Sequence, residues 1–453
     1  MGMSTPFVRI VVLSFDGSDL TAACLTSLRH LDYPQARYEV LVIDNASIDD
    51  SVAMIGRDFP WVILREELNN HGFAGGCNIG MRDLPVGVDY VALLNNDATV
   101  AVGWLRALVD HAESSPAIGA VSAKMLFADR FRGVAVTVPV EPHPALPKFS
   151  IGVKITGVHV DGVARWEDIT WGEGWLTLPI TDSADDPPAY FSLKPTEVRV
   201  LDKAGITSPK LLSMQLSAPS ARQVTLDAGR GPAVVQVTSN PQWFDMQLTD
   251  DAFDVINNVG SCLFEGGFGG DRGFLERDHG QYNEPAEVFA WCGGAVLLKR
   301  AYLQDVGLFD ERFFVYYEDT DLSWRGRMLG WKHTYEPNAL VRHQHSASSG
   351  IGSDVFQFHT TRNRLLLLAK LAPWKVAARA LAVECRYEIS FLLTEVVKPI
   401  LRVGRPAPRR SALQKRVLQS YFALLPAMLN DRRDLQKRRK VSDTDIQKWI
   451  VTK

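Results

Sequence analysis

The residues of this chain best suited to chemistry stand at the ends of apolar runs. Tyr90–Leu94 ends abruptly in Asn95, Asn96 and Asp97; Val8–Ser14 closes in Phe15-Asp16-Gly17; Tyr38–Ile43 ends in Asp44-Asn45-Ala46-Ser47. A carboxylate beside an amide, delivered to the C-terminal edge of a buried parallel strand, can hold a hard divalent cation, and the cation can hold a diphosphate. Each group alone reads equally well as a turn or a helix N-cap. Polar groups at three such strand ends (Ser14 and Asp16, Asp44 and Asn45, Asn95 and Asp97) are harder to explain that way. The glycine-rich segment 72–80 leads into a helix but matches neither Gly-x-Gly-x-x-Gly nor the Gly-Lys-Ser/Thr loop, so a metal, not a glycine cradle, must neutralise phosphates here.

A second group lies late in the chain. Glu318, Asp319 and Asp321 follow the aromatics Phe313, Phe314, Tyr316 and Tyr317. A helix N-terminus accounts for one or two acidic residues, but the apolar surroundings should raise the pKa of at least one carboxylate and suit it as a general base. A strand then exits into His343 and His345, of which His343 is the preferred metal ligand. Between them and the insert, Gly293 and Gly294 remove side chains where something must approach the backbone, and the loop 269–282 has the glycine- and charge-rich texture of a site cover.

Several elements must position these groups. Strands at 8–14, 38–43, 61–64 and 90–94 alternate with helical periodicity at 20–31 and 48–55 and with a helix opening near Asn70–Asn78. That alternation predicts an α/β, doubly wound sheet with right-handed crossovers. From about Val134 alternating strands replace helical periodicity, which predicts an inserted β-sandwich over 134–254. Its aromatics (Trp166, Trp171, Trp175, Tyr190, Phe191, Trp243, Phe244) are read chiefly as core, with a sugar-stacking platform as the alternative. The expected organisation is thus 1–133, the insert 134–254, a second α/β half 255–365, and amphipathic helices over 366–453.

Bulk composition narrows the classes. A net charge of −3 and 46% apolar residues over 453 positions give no sign of a nucleic-acid binder and allow more than one core. The five scattered cysteines form no Cys-x-x-Cys pair, which argues against a disulfide framework or zinc site and for a reducing cytoplasm. No signal peptide and no membrane span are expected. Positions 401–440 hold twelve Lys/Arg against two Asp. Such a tail is compatible with peripheral contact to an anionic membrane face, or with packing on the core or on another subunit of a homo-oligomer.

Taken together, Val42-Ile-Asp-Asn-Ala-Ser47, Asn70-x-Gly-Phe-Ala74 with Asn78, Leu94-Asn-Asn-Asp97, Trp291-Cys-Gly-Gly294, Phe314-Val-Tyr-Tyr-Glu-Asp-Thr-Asp-Leu322 and His343 with Ser346 resemble the family 2 inverting nucleotide-sugar glycosyltransferases of GT-A fold. The likeness is to the rhamnosyltransferase and galactofuranosyltransferase-like branch, and covers about 7–130 and 255–370. Asn95 stands where the family's metal motif usually has its first Asp, leaving Asp97 as the motif's carboxylate. The resemblance implies that Asp44 bonds a uracil or thymine, with Ser14 and Asp16 lining the nucleotide pocket and Asn45 and Asn96 beside them. It implies that Asn70, Gly72, Phe73 and Asn78 shape that pocket, that Asn95 and Asp97 sit at the diphosphate, and that Asp97 and His343 bind Mg²⁺ or Mn²⁺. Asp319 would deprotonate the acceptor hydroxyl, Glu318 and Asp321 would orient the acceptor or its loop, and Trp291, Gly293 and Gly294 would border the transferred sugar. The implied donor is dTDP- or UDP-linked, and the implied acceptor a glycan or polyprenyl-diphosphate-linked sugar. Two other readings of the residues compete: a sugar-nucleotidyltransferase, and a non-catalytic carbohydrate-binding scaffold in which the insert does the work.

Overall fold

The computed structural model describes residues 5–143, 146–172, 174–178, 189–203, 208–344, 353–401 and 407–452. His345 and Ser346 lie outside the described residues. The chain divides into two compact units, one of 1–126, 257–274 and 281–453, the other of 127–256 with 275–280.

The first unit is built on a mixed sheet. Its strands run in the order Ala286–Glu287, Lys332–His343, Ile118–Phe127, Ala295–Lys299, β4 (Tyr90–Asn95), β1 (Val8–Ser14), β2 (Tyr38–Asp44) and β3 (Ile63–Glu66). The four β strands pair in parallel, and Ala295–Lys299 runs antiparallel to β4. Alternation along β1 explains why the sheet is covered on both faces. Val8, Ile10 and Val12 pack into one apolar layer with Leu25, Leu28 and Trp104, while Val11 and Leu13 face the other with Ala74 and Cys77. The expected doubly wound, mixed α/β sheet is present.

Register sets the polar edge. Ser14 pairs with Asp44, and Leu13 with both Ile43 and Asn95, so β1, β2 and β4 end side by side. Several boundaries differ from expectation; the first helix, for one, is Ser18–Leu28 and not 20–31. The third strand is 63–66 and not 61–64, because it is a largely exposed edge strand and its apolar residues give no periodic signal. The second helix is Ser51–Asp58 and not 48–55, because Asp49 Oδ atoms accept from the backbone of Ser18 and Ser51 and hold 48–50 as a loop with Ile48 exposed.

The second unit is the expected β-sandwich. One sheet holds Ile169–Trp171, Thr196–Asp202, Arg130–Thr137, Arg222–Asp227 and Ala233–Val237; the other holds Trp175–Leu178, Ala189–Ser192, Lys154–Val160, Leu211–Ser217 and Gln242–Gln247. Inward residues of both, Val134, Val136, Val198 and Val200 against Ile155, Val158, Met214 and Leu216, share one core. Trp166, Trp171, Trp175 and Tyr190 pack against that core, with the Trp171 and Tyr190 rings stacked at 3.8 Å.

Returning to the first unit, helices Asp354–Leu371, Trp374–Leu392 and Arg409–Arg438 form a third apolar cluster with Phe289, Phe313 and Trp324. Among the described residues no helix is long and apolar enough to cross a membrane. A terminal strand, Ile450–Val451, pairs in parallel with Ser261–Phe264.

Candidate active site

The polar edge is a network before it is a pocket. Asp44, buried, accepts from Ser47 N and Oγ, and Ser47 Oγ also accepts from Asp16 N. Asn45 Nδ2 donates to Asn70 Oδ1 and Gly72 O, Asn45 Oδ1 accepts from His71 N, and Asn70 Oδ1 also accepts from Gly72 N. Asn96 Nδ2 donates to Thr21 Oγ1 and Asp16 O, and Ser14 Oγ lies 3.2 Å from Thr21 Oγ1. The structure therefore brings Ser14, Asp16, Asp44, Asn45, Asn70, Gly72 and Asn96 together. Gly72 has to be glycine: its φ is +68°, and a Cβ there would stand 2.5 Å from Phe314 O.

Opposite that loop, Phe314, Tyr316 and Tyr317 all take positive φ (67°, 67° and 72°) in the turn that starts helix Glu318–Met328. Non-glycine residues hold such values only when their surroundings fix them. Fully buried Asn363 does so: its Nδ2 lies 2.8, 2.8 and 2.7 Å from the carbonyl oxygens of Phe313, Val315 and Tyr316. Arg362 Nη2 adds bonds to Arg312 O and Phe313 O, and Ala74 N donates to Phe314 O. This turn aims the first residues of the helix into a cavity of about 720 Å³.

Asp97 and His343 stand at one side of that cavity and Glu318 and Asp319 line it too, with Phe73, Asn95, Gly293 and Gly294. Asp97 Oδ1 is buried and accepts no hydrogen bond, although His343 Nε2 is 3.0 Å away. His343 Nδ1 lies 3.0 Å from Asn257 Oδ1, an acceptor, so the ring proton belongs on Nδ1 and Nε2 presents its lone pair. Asn95 Nδ2, 3.3 Å from Nε2, agrees with that tautomer. With the ring neutral in that tautomer, a carboxylate oxygen and an imidazole nitrogen 3.0 Å apart fit a shared cation.

Asp319 is recessed in the cavity wall. Its Oδ2 accepts from Gly293 N, and its Oδ1 from Thr320 N and Oγ1. Burial nonetheless pushes its carboxyl above the ordinary range, against those hydrogen bonds. Burial, and after it the charge of Asp319, holds the Glu318 carboxyl well above its usual value, and Glu318 Oε2 has no hydrogen-bond partner. Cys292 borders the same space, but burial raises its thiol well above the ordinary value and leaves it a poor nucleophile. The chemistry that Asp319 can supply here is proton abstraction by a carboxylate.

Residues 9–133 match the family description Glycosyl transferase family 2. Over this segment the chain is similar to family 2 glycosyl transferases. Curated N-acetylglucosaminyl-diphospho-decaprenol L-rhamnosyltransferases of two Mycobacterium tuberculosis strains (CDC 1551 / Oshkosh and ATCC 25618 / H37Rv) are 44% identical to the chain over 69 residues. That stretch is 15% of this chain and 22% of each relative, so the match spans about a fifth of the relatives' length. Among solved structures, GalNAc-T7 with UDP, GalNAc and Mn²⁺ is 12% identical, with 81% of this chain and 48% of that one covered at a TM-score of 0.45. Mannosyltransferase PcManGT from Pyrobaculum calidifontis, in complex with GDP-Man and Mn²⁺, is 14% identical, with 94% and 88% covered at a TM-score of 0.39.

Three residues expected at the site lie elsewhere. Asn78, within the matched residues, is buried and exchanges hydrogen bonds with Phe309 N and O, tying helix Gly72–Met81 to the chain around Phe309. Trp291 is fully buried beside Phe309, because the chain turns its neighbours Gly293 and Gly294, not its ring, toward the cavity. Asp321, on the opposite side of its helix from the cavity, is fully buried between Arg325 (2.7 Å) and Lys370 (2.9 Å). Its role is to lock the helix in place. Conversely, Asn257, Asp271, Asn363, Arg364 and Glu384 belong to the site or its support and were not singled out from sequence. Only Asp271 carried a signal, as the one carboxylate among the glycines of 269–273.

Proposed function

We propose that this chain is an inverting, metal-dependent glycosyltransferase that moves a sugar from a nucleotide-diphosphate donor to a glycan or lipid-linked acceptor. The single observation that carries this reading is the sharing of one cavity by Asp319 with its raised carboxyl and by the unsatisfied Asp97 Oδ1 facing His343 Nε2. A cation held by Asp97 and His343 would neutralise charge developing on the departing diphosphate. Asp319 takes the proton from the acceptor hydroxyl as its oxygen attacks the anomeric carbon, and the C–O bond to the nucleoside diphosphate breaks on the opposite face. Gly293 N–H and the Thr320 donors keep the Asp319 carboxylate aimed for that step. Ser14, Asp16, Asp44, Asn45, Asn70, Gly72 and Asn96 form the nucleotide side, and Phe73, Asn95, Gly293 and Gly294 the sugar side.

The partial likeness to L-rhamnosyltransferases favours an L-rhamnosyl donor, dTDP- or UDP-linked, and a polyprenyl-diphosphate-linked acceptor. A lipid-linked acceptor fits a peripheral membrane protein, and helix Trp374–Leu392 with its continuation supplies a suitable face. Val383, Tyr387, Ile389, Leu393 and Ile400 are exposed there among Lys375, Arg379, Arg386 and Lys398. Calorimetric titration with dTDP and UDP, each with and without Mn²⁺, tests the reading. Metal-dependent binding supports it and ranks the bases; absence of binding under every condition rejects it.

A further inference from the structure

One wall of the cavity is left unused by the transfer step. The hairpin of Ser261–Phe264 and Phe268–Asp271 turns at Gly266 and Gly267, both with positive φ, and lines the cavity with Phe268, Gly269, Gly270 and Asp271. It is held firmly. Arg364 donates to Gly266 O at 2.8 Å and stacks on one face of Phe268 at 4.2 Å, and is itself paired with buried Glu384. The terminal strand Ile450–Val451 pairs along the outer side of the hairpin.

Three features of this wall are turned to the cavity. Phe268 is 52% exposed, so a large ring is presented on a rigid support with its second face open. Gly269 has an ordinary φ, and a Cβ added there would meet nothing nearer than 3.7 Å. Neither strain nor internal packing calls for glycine at that position; the missing side chain leaves room in the cavity. Asp271 is open to the cavity, and Asn258 Nδ2 orients it at 2.6 Å through Oδ1.

We propose that this hairpin is the acceptor-saccharide subsite: Phe268 packs on the apolar face of a pyranose ring, and Asp271 accepts a hydrogen bond from a hydroxyl near the one Asp319 deprotonates. An exposed aromatic face beside an oriented carboxylate is the chemistry that recognises a neutral, hydroxyl-bearing ring. Asp271 and Asp319 in the same cavity repel an anionic one. The assignment to the acceptor, not the donor, rests on the proposed role of Asp319.

The test is saturation-transfer NMR on the full chain with methyl β-N-acetylglucosaminide as probe and methyl glucuronide as its anionic counterpart. Nucleotide binding by calorimetry runs in parallel. The neutral glycoside should bind, the glucuronide should bind less, and Asp271→Asn and Phe268→Ala should each weaken glycoside binding about tenfold or more. Both variants should keep wild-type nucleotide binding, which also shows that they fold. No signal from the wild type, or equal binding by wild type and variants, overturns the subsite whatever the nucleotide result. Failure to bind nucleotide with glycoside binding intact refutes only the transferase reading.

Discussion

Asn363 gives the sharpest structural prediction, because one side chain fixes a turn that contains three residues in an unfavourable backbone region. Each such residue costs about 1–3 kcal/mol when nothing compensates it. Removing the amide withdraws its donors from three carbonyls, and a buried polar group left unpaired costs about 1–3 kcal/mol. Asn363→Ala should therefore destabilise the protein by about 2–4 kcal/mol. The discriminating variant is Asn363→Asp. It has nearly the same shape, so if packing alone mattered it would resemble wild type. In the ionised state, however, it turns an acceptor toward three acceptors, so it should be at least as destabilised as the Ala variant. Urea denaturation at pH 7 gives the order, and transfer rates should fall with it, since the turn sets the position of Glu318 and Asp319. A near-wild-type midpoint for Asn363→Asp refutes the argument.

Other consequences are more local. Asp319→Asn should leave nucleotide binding nearly intact and lower turnover about 10²-fold or more, as for loss of a general base; wild-type turnover would mean another base. Because burial raises the Asp319 carboxyl and the base must be ionised, the acid limb of kcat/KM should lie above the 3.8 of an ordinary Asp and be absent from Asp319→Asn. The recessed position of Asp271, and after it the neighbouring charge of Asp319, raise its carboxyl from 3.8 to about 6. The folded state then holds the proton more tightly than the unfolded one, so this group's contribution to stability declines as pH rises from about 3.8 to about 6. Asp271→Asn should flatten that slope in denaturation measured across the window. Asp97→Ala should weaken Mn²⁺-dependent nucleotide binding, with metal-independent binding unchanged, in calorimetry. Asp321→Asn should act on stability, by about 3–5 kcal/mol as for a broken buried ion pair, with nucleotide affinity preserved in the folded protein. Arg379→Glu with Arg386→Glu should reduce co-sedimentation with anionic liposomes and leave turnover on a soluble acceptor unchanged; equal sedimentation would remove the membrane reading.

What the sequence made legible is what depends on local periodicity. The parallel strands β1, β2 and β4 are buried on both faces, so their apolar runs and polar ends stand out. The same pattern places Asp44, Asn45, Asn95 and Asp97 at one edge, and the register of the sheet bears this out for Asp44 and Asn95. The alternation within 134–254 likewise announces a sandwich. Illegible were roles set by which side of an element faces the cavity. Asp319 and Asp321 are two residues apart on one helix, and a helix sends such neighbours to different sides, so one reaches the cavity and the other Lys370. Nothing in the spacing says which. Trp291 and Gly293 divide in the same way about a loop. Asn257, Asn363 and Glu384 were hidden for another reason: their partners lie far along the chain, and a polar residue in a short strand, or among the other polar residues of a helix, carries no sign of what it will meet.

The C-terminal segment changes meaning most between sequence and structure. Its basic, amphipathic character reads as a membrane-facing tail or as packing on the core; Glu384 lines the cavity, and Gln414 Nε2 donates to Glu384 Oε2 at 2.8 Å. Arg364 in turn fixes the hairpin that carries Asp271, and the strand at 450–451 supports the same hairpin. Removing everything after about Pro373 would thus take away Glu384, the partner of Arg364, and the strand behind the hairpin along with any membrane-binding face, and loss of activity would not tell the two apart. Substitutions confined to the exposed face do. Helix Trp374–Leu392 presents Arg379, Val383 and Arg386 outward while its buried side holds Glu384 against Arg364, so one helix couples the surface where a lipid-linked acceptor would arrive to the wall where its sugar would be read.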